Sequence, residues 1–422
     1  MSQSAELTRA TYRDLFCRNE FRALFTADAV SLLGDQVAAV ALAVLLYQSS
    51  GSALVAALGY ATAYLPWAVG GPLLSVLADR LPPRRVVVTC DLLRVVLIGL
   101  AAVPGLPLLG VGLLVLAAGL IAPPFDSAIS ALYPQALEGD LYTLGVSARS
   151  VLHQSAQLLG FLSGGALLVL IGPHAALGLD AATFALSALV LRAGLTERPA
   201  AMDGAGPAHL LRDALEGLRI VTADRQCYAP LLLGVLGSAY IMAPEAIAPA
   251  YAHSFGAGAA TVGVIMASIA AGSIIGDVLF ARTMSPQTRQ RLMWPLAVIG
   301  AVPLLAMALH PPLPLGIGLL VVAGLGSAFQ VPANTAFAQA VPAQARGRAF
   351  GIAMTGMFGG QGLAIIAAGA AAQVLEPSTV IAGAGALGAA AITLVWLTTA
   401  RPYTRRAALH PEYGLQAPDS RH

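Results

Sequence analysis

The segment Ser75-Val76-Leu77-Ala78-Asp79-Arg80-Leu81-Pro82-Pro83-Arg84-Arg85 decides the architecture. It is a short charged stretch between two apolar runs, Ala53 to Ala78 and Val86 to Val103. Each run is close to the roughly 20 apolar residues that carry a helix across a bilayer. Basic residues collect in cytoplasmic loops, so Arg80, Arg84 and Arg85 place this turn inside the cell. Working outward, the same alternation repeats along the chain. The further runs are Phe21–Gln48, Leu108–Leu132, Thr143–Leu170, Pro173–Leu191, Tyr228–Tyr251, Ala259–Phe280, Leu292–Leu309, Leu313–Ala338, Phe350–Leu375 and Thr379–Thr399. Twelve spans result, an all-α integral membrane protein with both termini on the cytoplasmic side.

The placement of arginine tests that count. All 23 basic residues are Arg. Arg9, Arg13, Arg18 and Arg22 precede or open the first span, and Arg282, Arg289 and Arg291 surround the turn after the eighth. Arg346 and Arg348 follow the tenth, while the predicted outer loops 49–52 and 104–107 hold none. Only Arg94 and Arg149 fall inside spans. A wrong count would scramble this pattern.

Composition agrees. Of 422 residues, 57% are hydrophobic and 10% charged, against about 25% charged in a soluble domain. The net charge of +2 offers no basic stripe for nucleic acid. Three distant cysteines fit neither a disulfide framework nor a metal site. Residues 1–20 read as a cytoplasmic arm, 21–194 as one six-helix bundle, 195–226 as a cytoplasmic linker, 227–400 as a second bundle and 401–422 as a cytoplasmic tail. Within the linker, His209 to Val221 sets leucines against Arg212, Asp213, Glu216 and Arg219, the pattern of an amphipathic surface helix or of a solvated linker helix. Pro124-x3-Ala128-x5-Pro134 in the fourth span returns as Pro332-x3-Ala336-x5-Pro342 at the tenth. Two parallel repeats of six spans imply a substrate site between the halves near mid-membrane.

The loop Leu77-Ala78-Asp79-Arg80 with Arg84-Arg85 resembles the signature loop of the major facilitator superfamily, with Ser75 and Pro82-Pro83 where that pattern has glycines. Arg18-Asn19-x-Phe21-Arg22 leading to Ser31-x-x-Gly34-Asp35, Asp91-x-x-Arg94 and Arg346-Gly347-Arg348 are similar to the drug:proton antiporter branch that includes macrolide-efflux and siderophore-exporting proteins. Gly160-Phe161-Leu162-Ser163-Gly164-Gly165 resembles the antiporter motif of the fifth span, with Phe161 in place of its proline. The resemblance implies two pseudo-symmetric bundles, alternating access and a cytoplasmic gate in which Asp79 meets Arg80, Arg84 and Arg85. It also makes Gly160, Gly164 and Gly165 a helix-packing face.

Ionisable groups inside spans are costly and mark pathways or relays. Asp35 lies near the middle of the first span, and Asp28, seven residues earlier, shares its face. Both are candidates for proton coupling or substrate contact, as are Glu245 beside Pro244, Asp180, and His153, whose ring titrates near neutral pH. Asp91 and Arg94 stand one turn apart and are expected to pair, with Arg94 also within reach of Asp79 or Asp126. Asp126 and Asp277 are expected to serve the cytoplasmic gate. No catalytic motif or nucleotide-binding loop appears in the sequence, so the energy source is read as the proton gradient, without a cofactor. The expectation is a monomeric exporter in the inner membrane of a bacterium, exchanging protons for small lipophilic neutral or cationic compounds. Import on the same fold and siderophore export are the alternatives within the class. A non-transporting receptor or an intramembrane enzyme is the alternative outside it.

Overall fold

The computed structural model describes residues 11–68, 81–199, 216–342 and 345–400. The expected gate residues Asp79 and Arg80, most of the linker helix and the C-terminal tail lie outside the described residues. All regular structure among the described residues is helical.

The first half begins with a one-turn helix, Tyr12–Phe16, closed by a reciprocal capping box between Thr11 and Asp14. The Thr11 hydroxyl and backbone N–H hold the Asp14 carboxyl below its usual range. Helix α1 is Asn19–Ser50, ending where Gly51 turns left-handed at φ 65°. Helix α2 opens at Ala53–Ala61, capped by Ser52, whose Oγ accepts from the Val55 N–H at 3.2 Å. Helix α3 is Pro83–Ala101, with Pro83 in the first turn where a missing N–H costs nothing. Helix α4 spans Leu108–Ala136 with a break at Ile121. Helices α5 (140–171) and α6 (173–194) form one helical stretch, Asp140–Gly194, parted by Gly172 at φ 75°, ψ 168°. That conformation is open to glycine alone, so the break falls between the two expected spans.

The second half repeats the plan. Helix α7 is Arg225–Ala246, continued by Ala248–Ser254. The sequence suggests one span there, but Pro249 has no N–H for the Glu245 carbonyl and the helix breaks at Ile247. Helices α8 (Ala259–Thr283), α9 (Pro286–Leu309), α10 (Leu313–Ala340), α11 (Arg346–Ala371) and α12 (Pro377–Val395) follow. Helix α10 tightens to a 3₁₀ turn at Gly326–Phe329, matching the break in α4 and lying just before Pro332 as that break lies before Pro124. Nine of these helices among the described residues are long and apolar enough to cross a membrane, with α5 and α6 counted together. Separating α5 from α6 and adding α2 and α3 gives twelve spans.

An even number of spans puts both ends of the chain on one face, here the terminal face; the opposite is the far face. One apolar cluster joins the two halves, linking Val40, Tyr60 and Phe161 to Ile241, Tyr251, Ile265 and Ile365. Two smaller clusters each belong to one half: Leu24, Val87, Ile129 and Leu132 in the first, and Val221, Cys227, Phe337 and Ala349 in the second. Among the described residues, hydrogen bonds and ring contacts tie the halves together deep in the bundle and at the far face: Tyr60 with Glu245, Ser52 with Gln373, Tyr47 with His253, and Tyr64 and Trp67 with Phe358. The described parts of the two halves are therefore joined at the far face.

Candidate functional site

The first-half acids meet around a buried base. Asp28 of α1, almost wholly buried, accepts from Arg149 Nε of α5 at 2.9 Å. A second guanidinium nitrogen of Arg149 pairs with Asp126 of α4, and a third donates to Ser130 Oγ at 3.3 Å. The Tyr133 ring lies 5.6 Å beneath the guanidinium. One turn along α5, His153 Nε2 stands 3.5 Å from Asp28 Oδ2, with the ring exposed. Arg149 thus binds α1, α4 and α5 together through charge-assisted bonds in a setting poor in water.

Asp35, two turns farther into α1, is exposed. Its charged neighbours are Arg94 and Asp91 of α3, His153 of α5, Asp180 of α6 and Asp28 of its own helix. Charged groups of three other helices thus gather on the side of α1 that carries Asp35. Asp180 is buried behind it, with Thr183 Oγ1 donating to its Oδ1 at 3.3 Å. In the second half, Asn334, Thr335 and Gln339 of α10 line a separate groove of about 450 Å³ with Arg346 and Phe350 of α11. Aromatics from both halves meet deep in the bundle. Trp67 and Phe358 stack at 5.1 Å, and Tyr64 tilts on Phe358 at 6.2 Å.

Several expected pairings are corrected. Asp91 and Arg94 do not pair. Asp91 turns to Ser187, whose Oγ donates to it at 2.6 Å, and Arg94 lies between Phe125 and Phe184 with ring centroids at 4.9 and 5.1 Å. Two flanking rings hold the guanidinium through cation–π attraction and leave no room for the turn-to-turn bridge. Arg94 does not reach Asp126, because Arg149 already occupies it. Asp126 is thus linked within its own half to Arg149 of α5. Asp277 is half-buried and has no ion-pair partner among the described residues. Arg84 donates to the Arg192 carbonyl, and Arg85 meets Glu197 at 2.6 Å, so both are engaged within their own half. Among the described residues neither has an ion-pair partner in the second half.

The other candidates fall as follows. Glu245 is buried between the halves. Gly160 and Gly164 lie against Gln36 and Val37 of α1, and Gly165 approaches Gly263 of α8 so closely that an added Cβ would stand 2.9 Å from its Cα. Small residues there allow backbone contact. Arg149, Tyr60, Tyr64, Trp67 and Phe358 were not singled out as site residues by the sequence. Only Arg149 left a signal, as a base inside a span with a histidine four residues on.

No group of three or more metal-ligating side chains occurs among the described residues. What the arrangement offers chemically is an exposed carboxylate within a span, backed by further acids, with one base committed to two of them.

A twelve-helix bundle of two halves, joined at one face and holding acids within its spans, is an architecture found in membrane transporters. The family model for the Major Facilitator Superfamily matches residues 24–309 and 231–418, and the chain belongs to that superfamily. It is a multi-pass membrane transporter. Macrolide efflux protein A of Streptococcus pyogenes is 25% identical over 276 residues, a match covering 62% of this chain and 65% of that protein. The alignment thus spans just under two thirds of that relative. Among solved structures, a POT family transporter in complex with 5-aminolevulinic acid superposes with a TM-score of 0.70 at 10% identity, over 90% of this chain and 96% of that one. A bacterial homologue of the lysosomal transporter Spinster, inward-facing and unoccupied, gives 0.63 at 16% over 90% and 95%. The nucleoside transporter NupG (D323A mutant) gives 0.64 at 18% over 89% and 100%. These likenesses show the fold.

Proposed function

We propose that this transporter exports small lipophilic neutral or cationic compounds in exchange for protons. The observation that carries the reading is the charge balance around Asp35. Arg149 is taken up by Asp28 and Asp126, Arg94 is held between two rings, and Asp35 stands exposed with Asp180 behind it. A site with acids in excess attracts cations and protons and repels anions, which disfavours a siderophore-like cargo. Proton and substrate then compete for Asp35, and exclusive occupancy is what antiport needs. The stacked aromatics between the halves add an apolar surface for a lipophilic cargo. The macrolide-efflux relative supports export over import.

The arginine pattern assigns the terminal face to the cytoplasm, so the face at which the halves are joined is the outer one. The chain works as a monomer in a bacterial inner membrane, bathed in lipid and driven by the proton gradient.

The test is accumulation of ethidium and of a macrolide in an efflux-deficient bacterial host. Cells expressing the protein are expected to accumulate less of at least one compound, and a protonophore to erase the difference. Asp35→Asn is expected to raise accumulation to that of cells lacking the protein. Full efflux by Asp35→Asn would remove Asp35 from the coupling step, and efflux untouched by the protonophore would remove the proton.

A further inference from the structure

Among the described residues one acid of the second half is wholly buried, and it lies far from the Asp28–Asp35 site. Glu245 of α7 is 1% exposed. Its Oε2 accepts from Tyr60 Oη of α2 at 2.5 Å, a bond between the two halves in the membrane interior. The Tyr60 and Tyr64 hydroxyls are 3.0 Å apart. Tyr64 is partly exposed and touches Phe358 of the second half. The three oxygens therefore form a chain from the buried Glu245 to the partly exposed Tyr64.

The surroundings of Glu245 are apolar. Ile241, Met242, Tyr251 and Ile365 belong to the cluster that joins the two halves. The titratable groups that act on it are Tyr60 and Tyr64, both from α2; the other described helices packed there bring no charge to it. His253 on the continuation of α7 is turned to Tyr47. A carboxylate sealed in such an interface with one neutral donor and no cation loses its hydration without compensation. Sealing the far face with a proton on Glu245 avoids that loss. Parting the far face separates α2 from α7, returns water to Glu245 and frees the proton to exchange with that side.

We propose that Glu245 is a second proton site, in which closing the far face around Tyr60 traps a proton and the Tyr60–Tyr64 hydroxyls lead it inward. Once Oε2 carries the proton, Glu245 donates to Tyr60 and the Tyr60 hydroxyl turns to Tyr64; the Glu245 proton then passes to Tyr60 as Tyr60 passes its own to Tyr64 and Tyr64 gives one to water. Each tyrosine ends with one proton, and Glu245 ends ionised until the far face reopens. This inference rests on the proton-antiport reading and adds a coupling group in the opposite half.

The test uses the full purified chain with spin labels at residues 51 and 375, on opposite halves at the far face, with inter-label distances measured from pH 5 to pH 9. The far-face-open fraction is expected to rise with pH in the parent protein. In Glu245→Gln, a permanent mimic of the protonated acid, it is expected to stay low and flat. Tyr64→Phe keeps the ring on Phe358; it is expected to retain the pH response of closure and to slow gradient-driven ethidium efflux from proteoliposomes at least tenfold. A flat parent profile, or an unchanged pH response in Glu245→Gln, overturns the site; undiminished efflux in Tyr64→Phe overturns the route. If Glu245→Gln does not fold, the parent profile and Tyr64→Phe decide the matter. The distance profile needs no substrate, so its failure is distinct from failure of the antiport reading, which shows as parental efflux indifferent to the pH gradient.

Discussion

Arg149 sits between two acids in unlike settings, and that difference predicts unequal coupling. Asp28 has 4% of its side chain exposed, Asp126 34%, and Arg149 itself 18%. Breaking a buried pair by removing one partner strands a charge and costs about 3–5 kcal/mol. A pair with one partner a third open to water is screened and is worth about 0–1 kcal/mol. Double-mutant cycles combining Arg149→Met with Asp28→Asn or with Asp126→Asn isolate each leg. A His153→Gln background keeps the imidazole 3.5 Å away from standing in for the lost guanidinium. The expected coupling is about 3 kcal/mol to Asp28 and about 1 kcal/mol or less to Asp126. Joint replacement of Arg149 and Asp28 should be milder than Arg149→Met alone, because no buried charge is then left unpaired. The assay is equilibrium unfolding in mixed detergent micelles, followed by helical circular dichroism. Equal coupling to the two acids, or an Arg149→Met protein within about 1 kcal/mol of its parent, would refute this account of the cluster.

Two further outcomes follow from local geometry. Gly172→Ala forces a side chain into φ 75°, ψ 168° and is expected to cost about 1–3 kcal/mol in the same assay; an unchanged midpoint would mean that the α5–α6 turn relaxes freely. Arg85→Ala removes an exposed partner of Glu197 and is expected to change stability by less than about 1 kcal/mol, whereas a loss above about 2 kcal/mol would give that ion pair a structural weight its exposure denies.

The span pattern was legible because each of its signals is local. An apolar run, an arginine-bearing turn, and Pro173 directly after Gly172 can all be read without knowing what lies across the bundle. The same local rule misled at Asp91 and Arg94. Spacing places them on one side of α3, but Ser187 from α6 takes the acid, while Phe125 and Phe184 from α4 and α6 take the base. The Asp126 partner was likewise out of reach of a local rule, since Arg149 arrives from α5. Glu245 was visible as a charge beside a proline. Its partner Tyr60, 185 residues away, was one of many aromatic side chains in apolar spans.

The sequence by itself determined the membrane class, the span count and the set of acids held within spans. Those properties depend on transfer between water and lipid, which each segment undergoes separately. Only the tertiary structure decided which acid is paired, which is sealed and which stands open. An ion pair or a buried hydrogen bond exists only when helices remote in the chain bring donor and acceptor within about 3 Å. The joining of the halves at the far face is likewise a property of how the two halves pack, and no single span carries it.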